Sequence, residues 1–179
     1  MIENIRSFIQ SFVLKNKLKQ HTREKEMSSL NSAKTVGIVC ITDSEDNWKI
    51  IQNVIKEFQE NGAKVGVMGV FYGNIKPLWY IETLNVTLCT DKELGLFQIP
   101  TGMHVNEFLS TQFDLLIDFS LTDKFAPFYL SVLSNAKFKI GIDTEQNRTH
   151  FDMLLKLEEP DLKEYKNQLM HYLSKINIK

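Results

Sequence analysis

The chain has 179 residues, 43% of them apolar, with 21 Lys and Arg against 22 Asp and Glu and a formal net charge of -1. That length and composition suit one globular domain with a sizeable core and exclude disordered and fibrous classes. The near-neutral total conceals an asymmetry: residues 1–26 carry six basic and three acidic side chains, leaving fifteen basic and nineteen acidic in the remainder. A basic arm on a mildly acidic body is the first clue to a partner.

In chain order, the arm comes first. At about 100° per residue, Ile2, Ile5, Phe8, Ile9, Phe12 and Val13 fall in one sector while Glu3, Asn4, Arg6, Ser7, Gln10 and Ser11 fill the other, which predicts an amphipathic helix. Lys15, Lys17 and Lys19 follow toward its carboxyl end, where the helix dipole favours cations. The apolar stripe is expected to dock on the protein's own sheet or a twin subunit, or to meet an anionic membrane surface or RNA phosphates. Three Ser and an Asn within residues 27–34 read as a linker. The expected organisation is therefore a helical arm at 1–26, a linker at 27–34 that leaves the arm free to move, and an α/β domain at 35–179.

Residues 35–41 form a β-branched apolar run and predict the first strand. Thr42-Asp43-Ser44-Glu45 fits a capping box, and Trp48, Ile51, Val54, Ile55 and Phe58 continue at helical spacing until Gly62. Residues 64–71 are a second strand, so the chain opens with a right-handed βαβ unit. The loop after the first strand decides against a nucleotide. Residues 42–46 hold three carboxylates and no Gly, a surface that repels phosphate where a dinucleotide fold would offer backbone N–H groups.

Between residues 72 and 101 the signals are weaker. Lys76-Pro77 marks a turn, residues 78–84 suggest a short helix, 86–90 a third strand, 91–95 a polar turn, and 96–100 an apolar loop that covers the sheet or meets a partner. A helix at 103–112 leads into the unbroken run at 114–119, the signature of a buried central strand of a parallel sheet. A helix at 125–133, strands at 138–142 and 151–157, and a closing helix opened by Pro160-Asp161 complete the pattern. That last helix is expected to bury Leu162, Tyr165, Leu169, Tyr172 and Leu173. The fold class is α/β: a Rossmann-like, mainly parallel six-stranded sheet with helices on both faces, plus the N-terminal amphipathic helix.

In such a sheet, ligands sit beyond the carboxyl ends of the strands where the strand order reverses. The groups expected there are Asp43, Ser44, Asp118, Ser120 and Asp143, which could bind a small molecule, although each also has a structural role open to it. The partner-binding candidates are Ile5, Phe8, Ile9, Phe12, Lys15, Lys17 and Lys19. No cofactor or metal is expected: His21, His104, His150 and His171 fall in no metal-ligand spacing, and Cys40 and Cys89 lie in separate apolar runs as reduced thiols. Nucleophile, base and oxyanion donors cannot be named together, so the reading leans away from an enzyme. No stretch reaches the roughly 20 apolar residues of a membrane span and no secretory signal is visible. A cytoplasmic protein is expected, peripheral at the membrane if the arm meets lipid.

Two resemblances add to this. Phe113-Asp114-Leu115-Leu116-Ile117-Asp118, followed by Ala136-Lys137-Phe138-Lys139-Ile140-Gly141, is similar to the acceptor-side half of heptosyltransferase-type glycosyltransferases. That likeness implies a shared half-fold and, as an alternative function, a sugar-binding module. Those enzymes require a second Rossmann domain. Over nearly its whole length, the chain resembles an uncharacterised family of small proteins from Bacteroidota, through the Phe/Lys-rich first helix, the 36–40 and 114–118 strands, the 136–141 segment and the Tyr-containing closing helix. That resemblance implies a bacterial protein and assigns no catalytic residue.

Overall fold

A computed structural model describes residues 2–81 and 83–176, with the side chain of Ile2 and residues 177–179 of the expected domain outside the described part. Its elements are α1 (Ile2–Gln20), β1 (Thr35–Ile41), α2 (Glu45–Glu60), β2 (Lys64–Val70), β3 (Val86–Cys89), α3 (Asp91–Leu94), α4 (Met103–Ser110), β4 (Leu115–Phe119), α5 (Phe125–Leu133), β5 (Phe138–Ile142), β6 (Met153–Leu155) and α6 (Leu162–Lys175). All six strands are parallel, in the order β3-β2-β1-β4-β5-β6. The order reverses between β1 and β4, so the central pair is the one expected from its apolar runs.

Side chains of β1 and β4 alternate between two cores. Ile38, Cys40, Ile117 and Phe119 face Trp48, Ile51, Val54 and Phe58 of α2 and Tyr165, Leu169 and Leu173 of α6. Val39 and Leu116 face Val105 and Phe108 of α4 and Ala126 and Leu130 of α5. The loop between α4 and β4 approaches the sheet closely at Gly37, where a Cβ would lie 2.8 Å from a ring carbon of Phe113. Beyond α5 lies a further layer: Leu14 of α1 packs with Phe128, Tyr129, Val132 and Leu133 of α5 and with Phe151.

Several local expectations are corrected. The cap of α2 is Ser44, which accepts from the Asn47 backbone N–H at 3.2 Å, and not Thr42. Thr42 instead prolongs β1, its N–H donating to the Val70 carbonyl at 3.0 Å, because the chain must clear the sheet before turning into a helix. Where a polar turn was expected at 91–95, Asp91–Leu94 form a one-turn helix, α3, opened by a Thr90–Glu93 capping box.

Described residues between 78 and 84 form turns where a helix was expected. Tyr80 fixes the path, since its hydroxyl donates to the Val86 carbonyl at 3.0 Å and its ring lies 5.7 Å from that of Trp48. The periodic trio Leu78, Ile81 and Leu84 is consequently exposed. β6 covers only three residues of the expected 151–157, Asp152 having turned away from strand geometry to bind Arg23. Tyr172 of α6 is exposed, whereas Tyr165, Leu169 and Leu173 are buried.

The composition of residues 27–34 suggests a linker, yet their three serines are bonded to one another. Ser28 and Ser29 are buried, the Ser29 N–H donates to the Ser32 hydroxyl at 2.8 Å, and the Leu30 N–H donates to the Leu173 carbonyl at 3.3 Å. Just upstream, Glu26 bonds Lys137 through its backbone N–H and pairs with its ammonium at 2.9 Å. Short hydroxyl side chains bond locally in turns as readily as they solvate a linker. This stretch straps the foot of α1 to the body.

Candidate functional site

The end of the sheet where β1 and β4 diverge opens into a crevice of about 290 Å³, lined among others by Asp43, Asn47, Ser120, Thr122 and Lys124. Of the five residues expected there, Asp43 and Ser120 line it and Ser44 caps α2 beside it. Asp43 accepts from the Asn47 amide at 3.1 Å, and Lys124 stands 4.1 Å above the Tyr72 ring. Leu121 is left-handed at φ 47°, a conformation uncommon outside Gly, which turns the chain sharply out of β4.

Asp118 and Asp143 are engaged elsewhere. Asp118 is buried beneath the crevice, accepting from the Ser120 N–H and the Ser131 hydroxyl, each at 2.8 Å, and so ties β4 to α5. Burial pushes its carboxyl up, against the pull of those Ser120 and Ser131 bonds. Asp143 accepts from Arg148 at 2.7 Å, and that bond holds its carboxyl below the ordinary range. The crevice thus offers a carboxylate, an amide, hydroxyls and the Lys124 ammonium for a small polar ligand; among the described residues its lining holds no second carboxylate and no histidine. Among the described residues, no group of three or more His, Cys, Asp and Glu could hold a metal ion.

The second assembly of candidate residues is on α1, where the structure divides the predicted stripe. Gln10 and Leu14 are buried and Ile9, Val13 and Leu18 half-buried, with the Gln10 amide donating to the Phe97 carbonyl at 2.8 Å. Ile99 and Val13 pack into the same layer, so the 96–100 loop, expected to cover the sheet or meet a partner, meets α1. Ile5, Phe8 and Phe12 lie on the opposite side, at 52, 72 and 58% exposure. Positions 5, 8, 12, 15 and 19 share one sector of a helix at about 100° per residue. That sector holds Ile5, Phe8 and Phe12, then the exposed Lys15 and Lys19, and no carboxylate; Lys17 is exposed on another side.

A third cluster carries no signal beyond one charge in an apolar run. Lys139, inside β5, is 1% exposed, and its ammonium donates to the Val132 carbonyl at 2.6 Å. Burial, and after it the Arg23 charge, lowers Lys139 to about 7, against the opposing pull of Asp152. Arg23 Nη2 donates to both carboxylate oxygens of Asp152, at 2.7 and 2.8 Å, while Nη1 donates to the Lys137 carbonyl at 2.9 Å. Asp152 additionally accepts from the Lys139 backbone N–H at 2.9 Å. His21, directly after α1, reaches the same cluster; burial, then the charges of Lys139 and Arg23, lower its pKa. Its Nε2 is buried with no hydrogen-bond partner among the described residues.

A model for DUF6913, a family of unknown function, spans residues 6–176. The chain belongs to DUF6913. The DUF6913 match takes in α1 from Arg6 onward, the strap and all six strands. No curated protein matches this DUF6913 chain.

Proposed function

We propose that this protein docks on an anionic membrane surface through the outer face of α1. One observation carries the reading: Ile5, Phe8 and Phe12 project into solvent in line with Lys15 and Lys19 on a helix whose other side is anchored to the body. Exposed aromatic side chains beside lysines match the boundary between acyl chains and anionic headgroups. From Ile5 to Lys19, the stripe runs roughly 20 Å. Each lysine near such a surface is worth roughly 1 kcal/mol, and each Phe or Ile up to roughly 1.5–3 kcal/mol when fully buried. The sum describes reversible, salt-sensitive attachment. No helix among the described residues is long and apolar enough to cross a membrane.

Charge favours lipid over a second copy. An antiparallel pairing centred between Phe8 and Phe12 would set Lys15 of each copy against Ile5 of the other and strip water from its ammonium. Ile5, Phe8 and Phe12, which make up the amino-terminal part of the stripe, also suit an apolar layer better than a phosphate backbone.

Sedimentation with phosphatidylserine-containing vesicles tests the proposal. Binding is expected with these and not with neutral phosphatidylcholine, weakening at least about tenfold in Phe8→Ser/Phe12→Ser and in Lys15→Gln/Lys19→Gln. If the chain ignores vesicles but doubles its mass in light scattering, with Phe8→Ser/Phe12→Ser restoring the monomer, the face belongs to a second copy. If it co-sediments only with RNA, the partner is nucleic acid. Either result overturns the membrane assignment.

A further inference from the structure

The foot of α1 lies against a buried cation. His21 follows the last helical turn, its N–H donating to the Leu18 carbonyl at 3.2 Å. Its ring is half-buried, and Nε2 is buried without a partner among the described residues. The ionisable groups on the surrounding elements are mostly cationic. β5 contributes Lys139, the strap contributes Arg23 and Lys25, and the segment before β6 contributes His150 and Asp152. α5 contributes Tyr129, whose hydroxyl burial keeps neutral. Glu24 and Glu26 of the strap are exposed, and Asp152, the carboxylate of this cluster among the described residues, already serves Arg23, Lys25 and the Lys139 N–H.

We propose that His21 is a proton-operated latch on α1: neutral, it lets the end of the helix seat against the Lys139–Arg23 cluster, and protonated, it adds a further cation there and frees the helix. The strap beyond it stays fixed by the Arg23–Asp152 pair, so α1 would swing about residues 21 and 22. Release would expose Ile9, Val13, Leu14 and Leu18 in addition to the outer face, enlarging the apolar surface offered to a bilayer. The latch concerns α1 alone, whereas its consequence for lipid rests on the membrane reading above. An anionic surface concentrates protons, by roughly threefold at the potentials of cell membranes, so approach to lipid would itself favour opening.

The sign follows from linkage. His21 binds its proton less readily docked than free, because burial and then Lys139 and Arg23 oppose it. Docking is therefore at full strength above the free-histidine range near 6.5 and weakens as pH falls below it, by up to about tenfold per unit until the docked form also protonates. His150, lowered by burial and Lys139, and Lys139 itself, lowered by burial to about 7, gain protons over the same window, so the variants must separate both from His21.

Hydrogen exchange of the α1 amides at pH 5.5 and 7.5, corrected for intrinsic rates, tests the latch on the full chain. Opening of residues 9–20 should rise at least about fivefold at pH 5.5 in the wild type and not in His21→Gln. Lys139→Met, which keeps His21 and removes its cationic neighbour, should show a smaller step. A wild type without the step, the same step in His21→Gln, or an undiminished step in Lys139→Met contradicts the latch. On phosphatidylserine vesicles, wild-type binding should strengthen at pH 5.5 while that of His21→Gln does not. Vesicle binding without an exchange step removes the latch and leaves membrane docking standing. An exchange step without vesicle binding at either pH removes membrane docking and leaves the latch.

Discussion

Asp152→Ala is expected to lower the stability of the fold by about 3–5 kcal/mol at pH 7, read by urea unfolding, the range for removing one partner of a buried ion pair. Its carboxylate accepts two bonds from Arg23, a third from the Lys139 N–H, and lies 3.3 Å from the Lys25 ammonium. Without it, the Arg23 guanidinium, whose side chain is 9% exposed, is left charged with only backbone carbonyls to receive it. Asp152→Asn should cost less, since the amide oxygen still accepts from the Lys139 N–H. Burial raises the Asp152 pKa, but Arg23 and the Lys139 N–H overcome this and hold it below the ordinary carboxylate range. The stabilisation is thus present above the unfolded value near 4 and is lost as pH falls through the lower, folded one.

Lys139→Met should have the opposite sign. The buried amine titrates at about 7 in the fold and near 10.5 when free, so between these values the unfolded chain holds a proton that the folded chain has released. Its contribution to stability therefore rises with pH across that window, and the cost of burying the ammonium is greatest at and below pH 7. Methionine keeps the unbranched stem and removes the charge, at the loss of the bond to the Val132 carbonyl, itself worth roughly 1 kcal/mol. At pH 6.5, the variant should be more stable than the wild type by roughly 1–3 kcal/mol, with the advantage shrinking toward pH 9. A variant less stable at both pH values would mean that the ammonium is a net support of β5 and α5.

How much of this was legible depended on whether a signal was local. The strands showed because both faces of a parallel sheet are covered, so β1 and β4 are continuous apolar runs. The crevice position followed from strand order alone. The role of Asp118 did not, since nothing in its neighbourhood announces Ser131, thirteen residues on, as its partner. Nor could the first helix reveal which apolar sector was docked: Phe8 and Phe12 lie beside Ile9 and Val13 on a helical wheel, and only contact with α5 and the 96–100 loop separates them.

The cluster around Lys139 was invisible for a similar reason. One lysine in a five-residue strand reads as a side chain that reaches solvent, and only the strap carrying His21 and Arg23 across its end closes it in. Asp114 and Asp118, the carboxylates on which the expected glycosyltransferase likeness leaned, are both engaged in hydrogen bonds. Asp114 accepts from the Lys34 and Thr35 N–H groups at 3.0 and 3.1 Å and Asp118 from α5, tasks any buried parallel strand pair must fill.

The central claim is that the outer face of α1 enters the lipid boundary while the body stays outside it. A single reporter tests this, because Cys40 and Cys89 are buried with thiols raised by burial, Cys89 to about 12, so a new surface cysteine should label selectively. We would attach an environment-sensitive dye at Asn16→Cys, on the exposed side of α1, and separately at Lys163→Cys on α6. The expected result with phosphatidylserine vesicles is a blue shift at residue 16 and none at residue 163. No shift at residue 16, or equal shifts at both positions, would contradict the account.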